Sequence, residues 1–192
     1  MLHGSDGTGG TSNGQDFLDG GAGADTMYGG TGNTTSTGSD IYVVDNVGDV
    51  VIDETSNRTS AARNHDLVLA SISYTLGDTI ENLTLTGTGD INGTGNGRAN
   101  VLTGNSGHNI LRGGAGGDTF VFTQGSGADT VADFRVGQND RIDVSAYTHG
   151  TAQTSFITQS GSDTVIDLGG GNVITIQHMT ATDANFLGHI IW

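Results

Sequence analysis

Apolar residues along this chain come in short bursts separated by glycine-rich polar stretches, and the spacing of the bursts is regular. In Gly20-Gly21-Ala22-Gly23-Ala24-Asp25-Thr26-Met27-Tyr28, a six-residue glycine turn is closed by an aspartate and followed by three strand-forming residues. The pattern returns as Gly113-Gly114-Ala115-Gly116-Gly117-Asp118-Thr119-Phe120-Val121. The period is nine. Each burst predicts a short strand that points an apolar side chain into a narrow core. One such unit cannot close a core alone, so copies have to stack.

Taken in order, residues 1–10 are a glycine-rich lead-in, in which Gly4-Ser5-Asp6-Gly7 hints at a worn repeat. Frame-locked units begin at Thr11, and the unit at Gly20 is complete. The unit at Gly29 breaks after Asn33, where Thr34 stands in the aspartate position. Thr34 to Ser39 then reads as a loop insertion, and Asp40 restores the carboxylate before Ile41-Tyr42-Val43-Val44. From there β-formers rise. Asp49–Asp53, Asp66–Leu69, Ser71–Leu76 and Asn82–Thr86 read as strands, Gly48-Asp49, Gly77-Asp78 and Gly89-Asp90 as turns. Ser56–Asn64, with Arg58 and Arg63, reads as an exposed loop.

A second frame-locked block starts at Gly95. Its first two units place Asn100 and Asn109 where aspartate belongs, so a cation there meets a neutral oxygen and binds more weakly, or the turn closes without metal. The unit Gln124–Ala132 is displaced by two residues. Beyond it, Asp133-Phe134, Asp140–Ser145, Asp163–Leu168 and Val173–Ile176 read as hairpin-like strands around glycine turns. Only the last fifteen residues show any helical period. The chain thus divides into a first repeat block (1–40), a strand-rich continuation (41–94), a second repeat block (95–132) and a C-terminal cap (133–192).

Composition sharpens this picture. Glycine supplies 34 of 192 residues and the hydrophobic share is 33%, too little apolar surface to offset the backbone entropy of so much glycine. With a formal charge of -15, that balance is also the signature of disorder. The strict nine-residue period argues instead for something that replaces hydrophobic bulk. Alternating glycines permit φ > 0 and expose backbone carbonyls, and the aspartate adds a charged oxygen. Ca²⁺, a hard cation taking six to eight oxygens, suits two such turns side by side. The acidity argues against nucleic-acid partners and anionic membrane surfaces. Cysteine is absent, so no disulfide braces the fold. No apolar run reaches the length of a membrane helix. Met1–Asp6 lacks the charged and apolar regions of an amino-terminal signal peptide.

The chain as a whole resembles the C-terminal RTX regions of bacterial type I secreted proteins, those with hemolysin-type calcium-binding repeats. Besides the glycine units, the likeness lies in Gly29–Asn33 with Asp40–Val51, in Tyr74-Thr75-Leu76-Gly77, in Glu81–Gly87 and in Ile91–Asn96. Gly117–Phe122 through Asp143 is similar to the C-terminal domain of serralysin-type proteases. The resemblance implies an all-β, right-handed parallel β-roll with a C-terminal β cap, two nonapeptides per turn, and several Ca²⁺ ions between stacked turns. It implies side-chain ligands Asp16, Asp25, Asp40, Asp118 and Asp129, with Asn109 as a neutral-oxygen counterpart. It also implies carbonyl donors Gly20, Gly21, Ala22, Gly23, Gly29, Gly30, Thr31, Gly32, Gly113, Gly114, Ala115 and Gly116. Finally, it implies secretion to the extracellular space by the type I (ABC exporter) machinery. That export uses an uncleaved C-terminal signal, with which the apolar end after Asp183 is compatible.

Catalytic chemistry finds no support in the spacing. His3, His65, His108, His149, His178 and His189 are scattered, with no HExxH and no G-x-S-x-G; His108 and His178 read as surface or turn residues. The acid pairs Asp140/Asp143 and Asp163/Asp167 read as turn caps or calcium ligands. Phe17, Tyr28, Phe120 and Phe122 read as core or roll-capping residues. The leading expectation is a non-catalytic calcium-binding folding and export module. The alternatives are a polysaccharide- or cell-surface-binding accessory module, or a polysaccharide lyase or epimerase.

Overall fold

A computed structural model describes residues 2–3, 15–31, 39–54, 65–182 and 184–192. The chain winds as a parallel β-roll, with successive short strands falling alternately on opposite faces. One face is an eight-stranded sheet of β2 (Phe17–Asp19), β4 (Ile41–Val44), β6 (Leu67–Ala70), β8 (Asn82–Leu85), β10 (Val101–Thr103), β12 (Thr119–Val121), β14 (Arg141–Asp143) and β18 (Ile190–Ile191), paired in that order. The other face begins as a three-stranded sheet of β1 (Leu2–His3), β3 (Thr26–Thr31) and β5 (Val50–Glu54). It continues as β7 (Tyr74–Thr75), β9 (Gly93–Thr94), β11 (Ile110–Arg112), β13 (Ala128–Val131) and β17 (Asn172–Ile176).

The pairing shows why nine is the period. Val101 lies beside Thr119, eighteen residues on, so one coil consumes two nonapeptides, one per face. Phe17 lies beside Ile41 at an offset of twenty-four, longer by six, the length of the insertion expected between the two strands. Thr34–Gly38 themselves lie outside the described residues, as does the loop expected at Ser56–Asn64. Ile110 pairs with Thr130 at an offset of twenty, which is the two-residue displacement of the Gln124 unit.

In a three-residue strand the two outer side chains point away and the middle one points in. The eight-stranded face therefore contributes one column of in-register side chains: Leu18, Tyr42, Val68, Leu83, Leu102, Phe120, Ile142 and Ile190. All eight are buried. The opposite face answers with Gly93, Leu111, Val131 and Ile176. Each apolar side chain of these columns contributes about 1.5–3 kcal/mol by leaving water, Gly93 instead leaves room for Leu83 and Leu111, and the core is about one side chain wide from each face.

The same alternation corrects two expectations. Phe17 is 64% exposed, because β2 turns Leu18 inward and its neighbours out; Phe120 and Phe122 are buried as expected. Of Ser71–Leu76, only Tyr74–Thr75 pairs as a strand. Ser73 instead uses its hydroxyl to accept the Asn92 N–H at 2.9 Å, a side-chain bond in place of a ladder bond.

The C-terminal region is less separate than its composition suggests. β16 (Asp163–Gly169) and β17 do form an antiparallel hairpin, extended by β15 (Ile157–Ser160). β17 also pairs in parallel with β13. β14, expected to be hairpin-like, instead lies parallel between β12 and β18, so the roll runs to the last strand. Asp133-Phe134 is not a strand; Phe134 is buried at the roll's end, 5.7 Å and edge-on to Phe186. Phe186 belongs to a short helix, α2 (Ala184–Leu187), within the last fifteen residues. A second helix, α1 (Ser145–Thr148), has no sequence counterpart in the reading above.

The core column sets a direct expectation. Leu102→Ala should destabilise the roll by about 2–5 kcal/mol, while Val101→Ala, on the outer face of the same strand, should change stability by less than about 0.5 kcal/mol. Chemical denaturation at fixed calcium measures both, and equal losses would contradict the inward and outward assignment.

Candidate metal centre

The turns between strands carry the chemistry, and their glycines have separate reasons. In the turn Gly113–Asp118, the closing carboxylate folds back over the first glycine, so a Cβ at Gly113 would collide with Asp118 Oδ2. Gly114 and Gly116 have φ of 93° and 121°, a region that side-chain-bearing residues avoid. The turn Gly20–Asp25 repeats the design: Gly21 and Gly23 have φ of 70° and 117°, and Asp25 lies over Gly20. At Gly29, both Asp40 Oδ2 and the Tyr42 hydroxyl occupy the space a Cβ would need.

Each closing residue stands immediately before a strand, and this places it on a ladder along one edge of the roll. The N–H of Asp16 donates to Asp40 Oδ1 at 2.9 Å, that of Asp40 to Asp66 Oδ1 at 2.7 Å and that of Asp66 to Glu81 Oε2 at 3.2 Å. Farther along, Asn100 N–H donates to Asp118 Oδ1 at 2.8 Å and Asp118 N–H to Asp140 Oδ1 at 2.9 Å. On the opposite edge, Asp25 N–H reaches Asp49 Oδ1 at 3.0 Å and Asn109 N–H reaches Asp129 Oδ1 at 2.9 Å. A backbone donor of one coil thus holds a carboxylate of the next.

Asp16, Asp25, Asp40 and Asp118 take this closing position, and Asp129 joins the ladder one residue inside its strand, as the second residue of β13. The carbonyl candidates Gly20, Gly21, Ala22, Gly23, Gly113, Gly114, Ala115 and Gly116 lie in or beside the same turns, whereas Gly29 lies within β3, against Asp40. Gly30 and Thr31 fall at the end of β3, and Gly32 lies outside the described residues. Asn109 sits in the equivalent position, but its Nδ2 donates to Ile91 O at 2.7 Å and to Asn105 Oδ1 at 2.8 Å. Sequence reasoning missed Asp66, Glu81 and Asp49 as ladder members, where the acid just before a β-rich run was the available signal; Asp140, read as a turn cap or calcium ligand, is also on the ladder. It also missed Asp133, whose two oxygens accept the N–H groups of Gly113 and Gly114 at 2.9 and 3.0 Å.

The residues present fit a cation. Among the described residues, Oδ2 of Asp118 and Oδ2 of Asp129 are buried without a hydrogen bond, which is costly for a charged oxygen unless something positive faces it. Burial pushes both carboxyls up to about 6, against the N–H bonds from Asn100 and Asn109 and, at Asp129, the nearby Ser126 hydroxyl, which pull them down. No three acidic, histidine or cysteine side chains converge among the described residues. A cation at these turns would therefore draw most of its oxygens from backbone carbonyls, as Ca²⁺ readily does.

The model for the RTX calcium-binding nonapeptide repeat matches in four copies, over residues 11–35 and 94–131. Those two stretches carry RTX repeats. They coincide with the two glycine-rich blocks that build these turns. Among solved structures, the chain is similar to the extracellular lipase LipA from Serratia marcescens, at 16% identity and a TM-score of 0.40. That match covers 95% of this chain and 39% of the lipase. No curated protein matches the sequence. Among the described residues, no helix is long and apolar enough to cross a membrane.

The raised carboxyls give a pH dependence of definite sign. Their ordinary value is near 3.8, so the metal-free folded chain binds more protons than the unfolded chain between roughly pH 4 and 6. The contribution of Asp118 and Asp129 to stability falls as pH rises through that window. Chelated protein should therefore melt higher at about pH 5 than at about pH 7; a lower melting temperature at the acidic pH would contradict the burial of these oxygens.

Proposed function

We propose that this chain is a calcium-dependent folding module of a secreted protein, without catalytic activity of its own, and that it leaves the cell through a type I exporter. The observation that carries the reading is the pair of buried, unbonded carboxylate oxygens on Asp118 and Asp129, each closing a turn of the repeat. Asp16, Asp25, Asp40, Asp118 and Asp129 would supply the charged oxygens and the glycine-turn carbonyls the neutral ones. Bound Ca²⁺ supplies positive charge to oxygens that the protein buries without another partner.

The protein's own groups set the direction of the coupling. Without a cation, carboxylates of successive coils stand one above another on the ladders, and a core about one side chain wide from each face opposes their repulsion. Calcium modules of the extracellular kind have Kd of about 10⁻⁴–10⁻³ M. At about millimolar calcium each site then adds about 0.4–1.4 kcal/mol of folded-state stability. At cytosolic calcium this contribution vanishes, which leaves the carboxylate-closed turns unsupported until the chain is exported.

The acid pairs support the non-catalytic part of the reading, because their oxygens hold backbone turns. Asp143 accepts from Ser145 N–H at 3.0 Å and Asp167 from Gly169 N–H at 2.9 Å. Asp163 accepts from His178 N–H at 2.9 Å, and that bond holds its carboxyl below the usual range. Asp140 accepts from Asp118 and Arg135 N–H groups at 2.9 and 2.7 Å. His108 and His178 are exposed, and His178 has φ of 55° in a turn.

Calcium titration followed by circular dichroism tests the reading. Asp118→Ala should raise the calcium midpoint by roughly tenfold, the loss of one charged contact, while Asp78→Ala, in an exposed turn off the ladders, should leave it within about twofold. A chelated wild-type chain with the full folded spectrum and an unchanged melting temperature would refute calcium-dependent folding.

A further inference from the structure

The two asparagine-closed turns share two departures from the repeat, and the second gives the first its meaning; the earlier turn also has Arg98 in place of the position-four glycine. Gly95-Asn96-Gly97-Arg98-Ala99-Asn100 and Gly104-Asn105-Ser106-Gly107-His108-Asn109 have asparagine at position six, where aspartate belongs, and also at position two, where Gly21 and Gly114 stand in the complete units. Both pairs of amides face the preceding coil. Asn96 Nδ2 donates to Gly77 O and Ile80 O, both at 2.7 Å. Asn100 Nδ2 donates to Ile80 O and Glu81 O, both at 3.2 Å. Asn105 Nδ2 donates to Thr86 O and Gly89 O, both at 3.0 Å, and Asn109 Nδ2 to Ile91 O.

The oxygen ends of the same side chains close their own turns. Asn100 Oδ1 accepts the Asn96 N–H and Asn109 Oδ1 the Asn105 N–H, each at 2.8 Å. Asn96 Oδ1 takes the Arg98 N–H and Asn105 Oδ1 the Gly107 N–H. Asn100, Asn105 and Asn109 are buried. Each amide thus gives acceptor oxygen to its own turn and donor hydrogens to the carbonyls behind it, with no net charge. The aspartate turns, by contrast, leave Asp118 Oδ2 and Asp129 Oδ2 buried and unbonded.

Resting on the calcium reading above, we infer that the asparagine pairs replace the cation: their amides occupy the carbonyls an ion would need, and the coils from about Glu81 to Arg112 hold together without calcium. The roll is then divided. Its carboxylate-closed turns respond to calcium, and its middle is a metal-independent segment against which they assemble. Asn109 is on this account a clamp and not a ligand.

Hydrogen–deuterium exchange of the full chain, in millimolar calcium and after chelation, decides the matter. On chelation, peptides from 15–31 and 113–131 should exchange faster by roughly tenfold or more, while those from 82–112 should change by less than about threefold. Loss of protection along the whole chain would overturn the clamp and leave calcium-dependent folding standing. Protection unchanged everywhere would overturn both. The double variant Asn105→Gly with Asn109→Asp restores the repeat pattern in one turn. It should bind more calcium per chain by elemental analysis and make protection of 104–112 calcium-dependent; unchanged stoichiometry with unchanged protection would count against the clamp. If that variant fails to fold, exchange of the wild-type chain alone settles the outcome.

Discussion

Everything in this roll depends on how the residue just before each strand satisfies two neighbours at once. It must close its own glycine turn, and it must meet the backbone of an adjacent coil. Aspartate meets the second demand with one oxygen, as Asp118 does for Asn100 N–H. At Asp118 the other oxygen lies over the first glycine of its own turn, buried without a hydrogen bond. Asparagine meets both demands and leaves nothing over. The choice between two side chains of nearly identical shape therefore fixes whether a coil carries an uncompensated charge, and that choice is made separately at each coil.

The thin core makes this choice consequential. A wide hydrophobic interior would tolerate a few buried carboxylates, since each raised carboxyl costs only a few kcal/mol. Here each strand contributes about one inward side chain, so the apolar stabilisation per coil is of the same order as the electrostatic cost of its turns. The balance can then be reversed by a ligand whose binding is weak at each site. Weak binding is an advantage in this setting, because the folded state responds over the range of calcium that separates the inside of a cell from its surroundings.

Much of this was legible in the sequence because the repeat is written at the level of single residues. The nine-residue period translates directly into an eighteen-residue coil, and even the irregularities survive as offsets in strand pairing, twenty-four at Phe17 and twenty at Ile110. What failed to show was anything decided by alternation within a three-residue strand or by distant partners. Phe17 looks like a core residue until Leu18 is seen to take the inward place. Arg141–Asp143 has no local mark that separates a parallel from an antiparallel strand. The asparagine at position six was visible as a departure, but its acceptors, Ile80, Glu81 and Ile91, lie in a stretch without repeats. Nothing in the local pattern of Gly104–Asn109 connects it to them.

The position-two asparagines show why a departure from a repeat should be read as a set rather than residue by residue. Replacing aspartate alone at position six would remove a charge and weaken an ion site, leaving the preceding coil's carbonyls to find water. Replacing the position-two glycine alone would place an amide donor beside a cation, which repels it. Together the two changes are coherent: the donors arrive where the cation departs, and the acceptors they meet are those left over by the change. The two asparagine turns fall consecutively, one on each edge of the roll, so the coil they close is clamped on both sides. A single substituted turn would leave its opposite edge dependent on metal, and the coil would gain little from the exchange.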